Sequence, residues 1–189
     1  MLAHKKKAGC VGIVSFGSVP HIAEQMIARQ IRESLHIPTE ILPPGAPPNY
    51  AYDAGRMQYN AATILHHFES IPFKHHTKVV GIVNVDLFIP IFTHVFGEAR
   101  EGGKCAVVSL YRLRVNADGS SPSEALILER LLKVTLHEIG HLFDVVHCYD
   151  TECLMHFSGR LDQLDELPLH FCHYCNEYLT ASIRRDGIS

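Results

Sequence analysis

Residues 135–157 read TLHEIGHLFDVVHCYDTECLMHF and place four histidines, two cysteines, a methionine and four carboxylates within twenty-three positions. The segment H137-E138-I139-G140-H141 is the tightest constraint on the fold. Histidines at i and i+4 project from one face of a helix about one turn apart, which suits two imidazoles on one ion. Glu138 follows at roughly 100° around the helix axis, outside comfortable ligand range but within reach of a bound water. The chain therefore has to bring the C-terminal end of a helix to a place where further ligands converge.

A catalytic zinc site takes three protein ligands and keeps a fourth position open. Two residues could supply the third. His147 lies six residues beyond His141 and can ligate only if the chain turns sharply after about Phe143. Asp144 lies seven residues after His137 and shares its face if the helix runs on. The two require incompatible backbones. Imidazole is the commoner third ligand, and aspartate tolerates the left-handed conformation of such a turn, so His147 is expected and Asp144 is the alternative.

Four of the six cysteines, Cys148, Cys153, Cys172 and Cys175, fall in the last 42 residues as C-x4-C and C-x2-C. In a chain with no secretory signal such spacing reads as metal ligation. A tetrahedral four-thiolate zinc would tie down a segment of some forty residues that is too small to hold a core alone. Because Cys148 directly follows His147, that site would also fix the chain delivering the third catalytic ligand. Cys10 and Cys105 border apolar runs and are expected as buried thiols. His66, His67, His75, His76, His156, His170 and His173 show no paired spacing and read as ordinary histidines.

Upstream, apolar runs alternate with helical periodicity. Residues 10–16 predict a strand, and Ile22, Met26, Ile27 and Ile31 recur as on a helix. Residues 38–42 predict a short strand closed by a proline-rich loop, 57–68 a second helix and 78–85 a central strand. Only residues 100–103 separate the run 93–99 from 104–113, too few for a parallel crossover, so these form a hairpin with 93–99 antiparallel at the sheet edge. A long helix capped by Ser121 or Ser123 then carries the histidine motif. The expected fold is α/β (α+β): a mixed five-stranded twisted sheet with an antiparallel edge strand, two crossover helices, an active-site helix and a small C-terminal lobe. The exposed edge at Val95, Phe96, Gly97 and Glu98 could accept an extended peptide as an added strand.

The motif H137-E-x-x-H141-x-x-D144-x-x-H147 resembles that of the metzincins, and its continuation into C148-x4-C153-x-M155 and C172-x-x-C175 resembles the archaemetzincin branch. The resemblance implies a metzincin-like zinc metallopeptidase with two Zn2+ per chain. His137, His141 and His147 would hold the catalytic ion, Glu138 would be the general base, and Met155 would form the Met-turn beneath the metal. The four cysteines would hold the structural ion. It further implies a single catalytic domain over 1–189, divided into an upper subdomain, 1–147, and a C-terminal subdomain, 148–189. Asp144 stands where the family has a glycine with positive φ, a substitution costing about 1 kcal/mol. Sixteen residues separate Met155 from Cys172, one fewer than the family pattern, a difference a loop absorbs. Phe157 stands where some metzincins carry a metal-contacting tyrosine, so a tyrosine switch is excluded there.

A zinc-stabilised peptide-binding protein without proteolytic activity is the alternative reading, but it has no need of Glu138. At 189 residues with 47% hydrophobic and 20% charged residues, the chain suits one globular unit. A net charge of −3 argues against a nucleic-acid partner, and the lysine run 5–7 reads as a solvated tail. No apolar stretch is long enough for a membrane span or a signal core. The expected protein is a cytoplasmic monomer acting on peptide or protein substrates.

Overall fold

In the computed structural model, which describes residues 9–73 and 75–188, the first apolar run forms β1 (Val11–Phe16), buried throughout. The lysine run 5–7 lies outside the described residues. Helix α1 (His21–Leu35) follows, burying Ala23, Ile27, Ala28 and Ile31 and leaving Ile22 exposed. It ends where His36 takes a left-handed φ of 55°. The chain then returns as β2 (Thr39–Ile41), parallel to β1.

A small sheet that the sequence did not suggest comes next. It begins with β3 (Tyr52–Asp53) and β4 (Gln58–Asn60), so the first residues of the expected 57–68 helix are extended. Helix α2 (Ala61–Ser70) starts only after Asn60, whose side chain accepts the Thr63 amide at 3.2 Å. The central strand β5 (Lys78–Val83) pairs in parallel with β1, and β6 (Leu87–Ile89) pairs in parallel with β4.

The expected edge strand 93–99 is divided between two sheets. Its first part lies in β7 (Phe92–Val95), where Val95 pairs with Leu87 of β6. Its last part is β8 (Gly97–Ala99), antiparallel to β9 (Cys105–Ser109), which is parallel to β5. The chain changes sheets at Phe96, which is buried, and its carbonyl accepts the Ser109 amide at 2.8 Å. The five-stranded sheet runs β2-β1-β5-β9-β8 and the smaller one β3-β4-β6-β7, giving a mixed sheet with an antiparallel edge strand.

The long helix α3 (Glu124–Leu142) is capped by Ser123, whose hydroxyl accepts the Leu126 amide at 3.2 Å. With α1 it covers one face of the main sheet, while α2 covers the other, where Phe68 stacks on Phe16 at 4.1 Å. The C-terminal segment adds α4 (Leu161–Glu166) and α5 (His173–Arg185). Leu164, Leu167, Leu179 and Ile183 join the same core as α1 and α3, so this segment shares the main core.

A buried arginine fastens the two parts together. The Arg130 side chain, only 2% exposed, donates to both Asp165 oxygens at 2.7 and 2.6 Å, to the Leu113 carbonyl and to Asn116. Asp165 lies on α4, so this guanidinium holds α4 against α3. Among the described residues no helix is long and apolar enough to cross a membrane.

Candidate metal centres and active site

Helix α3 stops just after the second motif histidine. The Phe143 amide returns to Gly140 and Ile139, the Asp144 amide to His141 at 3.0 Å, and the Val145 amide to Gly140 at 3.0 Å. Asp144 takes φ 63°, the left-handed turn that ends the helical face. Its carboxylate turns away to Arg185, 2.5 Å distant, and is absent from the histidine cluster. The same turn swings His147 back over His137 and His141. The three rings have centroids 4.8–5.2 Å apart, and one nitrogen from each lies within 4.8 Å of the others.

The hydrogen bonds of these imidazoles define a place for a cation. Nδ1 of His137 donates to the Leu154 carbonyl and Nδ1 of His141 to the Val145 carbonyl, both at 2.8 Å. A carbonyl can only accept, so each Nδ1 carries the hydrogen and each Nε2 presents a bare lone pair. Those two Nε2 atoms face each other at 3.1 Å, where no hydrogen bond can join them. Two nitrogens about 2.0 Å from a tetrahedral zinc would be roughly 3.3 Å apart, so the observed separation fits one shared ion. Burial, with the neighbouring imidazoles, pushes the His137 pKa down to about 3. Burial also lowers His141 and His147, although the Glu101 carboxylate opposes this for both. Neutral rings with convergent lone pairs are what a divalent ion requires.

Glu138 faces β8. Its carboxyl is buried, and burial together with the nearby Glu98 carboxylate raises its pKa well above the usual range. Gly97 makes this approach possible, because a Cβ there would stand 2.7 Å from Glu138 Oε1. Glu98 is itself raised by burial, against the opposing Arg100 guanidinium, so the cleft holds two acidic groups that are harder to ionise than usual.

Met155 lies fully buried beneath the helix, its sulfur packed against Gly140. The Cys148 amide donates to the Met155 carbonyl at 2.9 Å, tying the methionine turn to the residue after His147. Beyond it, one sulfur from each of Cys148, Cys153, Cys172 and Cys175 lies within 4.8 Å of the others. Cys148 and Cys172 are 3.9 Å apart, far beyond a disulfide and close to the ~3.8 Å edge of a four-thiolate zinc tetrahedron. The Cys172 amide donates to Cys153 Sγ at 3.2 Å, as backbone amides do to thiolates. Burial raises the Cys153 and Cys175 thiols; at Cys172 the Cys175 amide and neighbouring sulfurs outweigh burial and lower it. Four thiols competing for protons in one place suit a cation that replaces those protons.

The histidines open onto a cleft of about 500 Å³. Its upper wall is β7 and β8, including Val95, Phe96, Gly97 and Glu98; its lower wall includes Phe157, Leu164 and Leu167. Phe157 packs edge-on against His147 at 5.2 Å and stacks on Phe92 at 5.8 Å across the cleft. Glu101 and His94 also line it, and sequence reasoning assigned them no part because neither belongs to a recognisable spacing.

A family model described as peptidase family M54 matches residues 28–181. An archaemetzincin of Pyrococcus horikoshii is 39% identical over 140 residues, 74% of each chain. One from Aeropyrum pernix is 35% identical over 167 residues, covering 85% of this chain and 88% of the relative. The crystal structure of archaemetzincin from Methanopyrus kandleri is similar with a TM-score of 0.84 and 31% identity, covering 98% of this chain and all of that one.

Proposed function

The chain belongs to peptidase family M54, the archaemetzincins, zinc-dependent metallopeptidases, and from that premise we propose that His137, His141 and His147 hold the catalytic zinc while Glu138 acts as general base. The observation that carries this reading is the pair of bare Nε2 atoms 3.1 Å apart on rings whose Nδ1 hydrogens are committed to carbonyls. Zinc bound there supplies Lewis acidity for a peptide carbonyl and lowers the pKa of a water to about 7.

The protein's own groups do the rest. An extended substrate adds to the free edge of β8 beside Gly97 and Glu98, which fixes the scissile carbonyl over the helix end. Glu138 receives the proton of the attacking water on a carboxylate oxygen. Burial favours the protonated form of this carboxyl, so the same group can pass that proton to the leaving nitrogen. Met155 supports the ligand helix from beneath without touching the reacting atoms. Cys148, Cys153, Cys172 and Cys175 hold a second, structural zinc, for two ions across these two sites. Four such thiolates suit a reducing compartment, and we place the chain in the cytoplasm as a monomer.

The test is metal analysis of the wild type beside His137→Ala and Cys172→Ala, with peptide-library digestion by the wild type and Glu138→Ala. Loss of one zinc equivalent in His137→Ala, and cleavage lost in Glu138→Ala with zinc content unchanged, are expected. A zinc content unaffected by His137→Ala would refute the ligand assignment. Undiminished cleavage by Glu138→Ala would remove the base.

A further inference from the structure

A third set of unlike donors lies at the other edge of the main sheet. Cys10 immediately precedes β1, Glu40 lies on β2 opposite Gly12, and His76 precedes β5. One ligand atom from each lies within 4.8 Å of the others. The sequence suggested nothing of this kind, since the three residues span sixty-seven positions and Cys10 reads as a buried core thiol. It is instead half-buried, with its sulfur directed to the His75 carbonyl at 3.4 Å.

The arrangement is built into the strand. Val11 and Ile13 turn toward the core beneath α1 and α3, so Cys10 and Gly12 face the opposite side by alternation, and Glu40 shares that face through its pairing with Gly12. The absent side chain of Gly12 makes room for the His76 ring: a Cβ there would stand 3.0 Å from Cδ2 and 3.1 Å from Cγ. The imidazole is thereby pressed onto β1 with its side chain 8% exposed. Nε2 meets a Glu40 oxygen at 3.0 Å, and Nδ1 is buried with no hydrogen-bond partner. Buried ring nitrogens nearly always have one.

We propose that Cys10, Glu40 and His76 form a third metal site that takes zinc, with the thiolate, a carboxylate oxygen and a ring nitrogen as ligands. A sulfur, a nitrogen and an oxygen donor together match the borderline-soft character of zinc, whereas magnesium and calcium require oxygen. Glu40 is largely exposed, so the site opens to solvent and a water can complete a tetrahedron. The ion would pin the start of β1 to β2 and to the segment entering β5. The sheet order puts β2 at the edge opposite β8, so this site is separate from the catalytic cleft.

The experiment is zinc titration of the full-length chain against a chromophoric chelator, for the wild type, His76→Ala, Cys10→Ser and Glu40→Gln. The wild type is expected to bind one equivalent more than His76→Ala or Cys10→Ser. Glu40→Gln, at a largely exposed position that leaves folding intact, is expected to weaken that equivalent at least tenfold. Peptide cleavage should stay within twofold of wild type in all three. Peptide mapping after alkylation gives a second readout, in which zinc slows modification of Cys10 at least tenfold in the wild type and not in Glu40→Gln. Equal zinc content in the wild type and Glu40→Gln, with Cys10 alkylated at the same rate with and without zinc, would overturn the proposal.

Discussion

Gly140 sits in the interior of α3 between the two motif histidines, where alanine would ordinarily stabilise a helix by about 0.8–1.0 kcal/mol. Gly140→Ala is expected to do the opposite. The added Cβ would lie 2.5 Å from Met155 Sδ, 3.0 Å from Met155 Cε and 3.5 Å from Phe171 Cε1. The first contact is more than ~1 Å inside ordinary van der Waals separation, and Met155 is fully buried, so the clash falls within the core. Overpacking of this kind costs about 1–3 kcal/mol, so after the helix gain the net loss is about 1 kcal/mol, or roughly 2–4 °C in Tm for a chain of this size. The larger effect falls on the site. Met155 O holds the Cys148 amide and the neighbouring Leu154 O orients His137, so a shift of the methionine displaces two ligands' supports together. A misplacement of about 1 Å can cost 10²-fold, and kcat/KM is expected to fall 10- to 100-fold. Calorimetry and a fluorogenic peptide assay measure both, and a double-mutant cycle with Met155→Ala should give a coupling above about 1 kcal/mol. A Tm raised by helix propensity, with cleavage unchanged, would refute the reasoning.

Asp144→Gly should leave Tm within about 3 °C of wild type, because relief of about 1 kcal/mol of left-handed strain is set against a more flexible unfolded chain and the loss of an exposed ion pair with Arg185. Asp144→Val, β-branched at φ 63°, should instead lower Tm clearly and weaken zinc binding at the histidines, and equal stability of the two variants by calorimetry would disprove a strained turn. The charge of Glu98 helps burial raise Glu138, so Glu98→Gln should let Glu138 ionise more easily and move the acid limb of kcat/KM to lower pH; an unmoved limb in the pH–rate profile would separate the two carboxyls. Arg130→Ala leaves Asp165 and the Leu113 carbonyl without their donor and should cost about 3 kcal/mol in urea denaturation, a loss below about 1 kcal/mol showing that the buried fork is dispensable.

The clustering of His137, His141 and His147 was legible because their spacing carries three-dimensional information. His137 and His141 are one helical turn apart, and the choice between Asp144 and His147 reduced to whether the helix continued past Phe143. It does not: Asp144 adopts the left-handed turn, and its carboxylate is taken by Arg185, 41 residues away. The main sheet was legible for a similar reason, since β1, β5 and β9 are unbroken apolar runs buried on both faces. The second sheet was not. Its strands are two to four residues long and partly exposed, too short for alternation to distinguish them from loop or from the helix that follows Asn60.

Long-range polar contacts left no trace in the sequence for a different reason. Arg130 and Asp165 are 35 positions apart, and each alone reads as an ordinary surface charge. Their pairing becomes necessary only when α4 is laid over α3 and the guanidinium has lost its water. The same logic separates the two cysteine-containing clusters. Cys148, Cys153, Cys172 and Cys175 advertise themselves by local spacing because a short segment without a separate core of its own gathers them from nearby chain. Cys10, Glu40 and His76 are gathered by the sheet itself, through the register of β1 with β2 and the space left at Gly12. A site assembled by tertiary structure needs no motif. Its sequence-level mark is the unexplained small residue, as Gly140 is above Met155 beside the clustered histidines and Gly97 is beside Glu138, each keeping clear the volume a neighbouring side chain occupies.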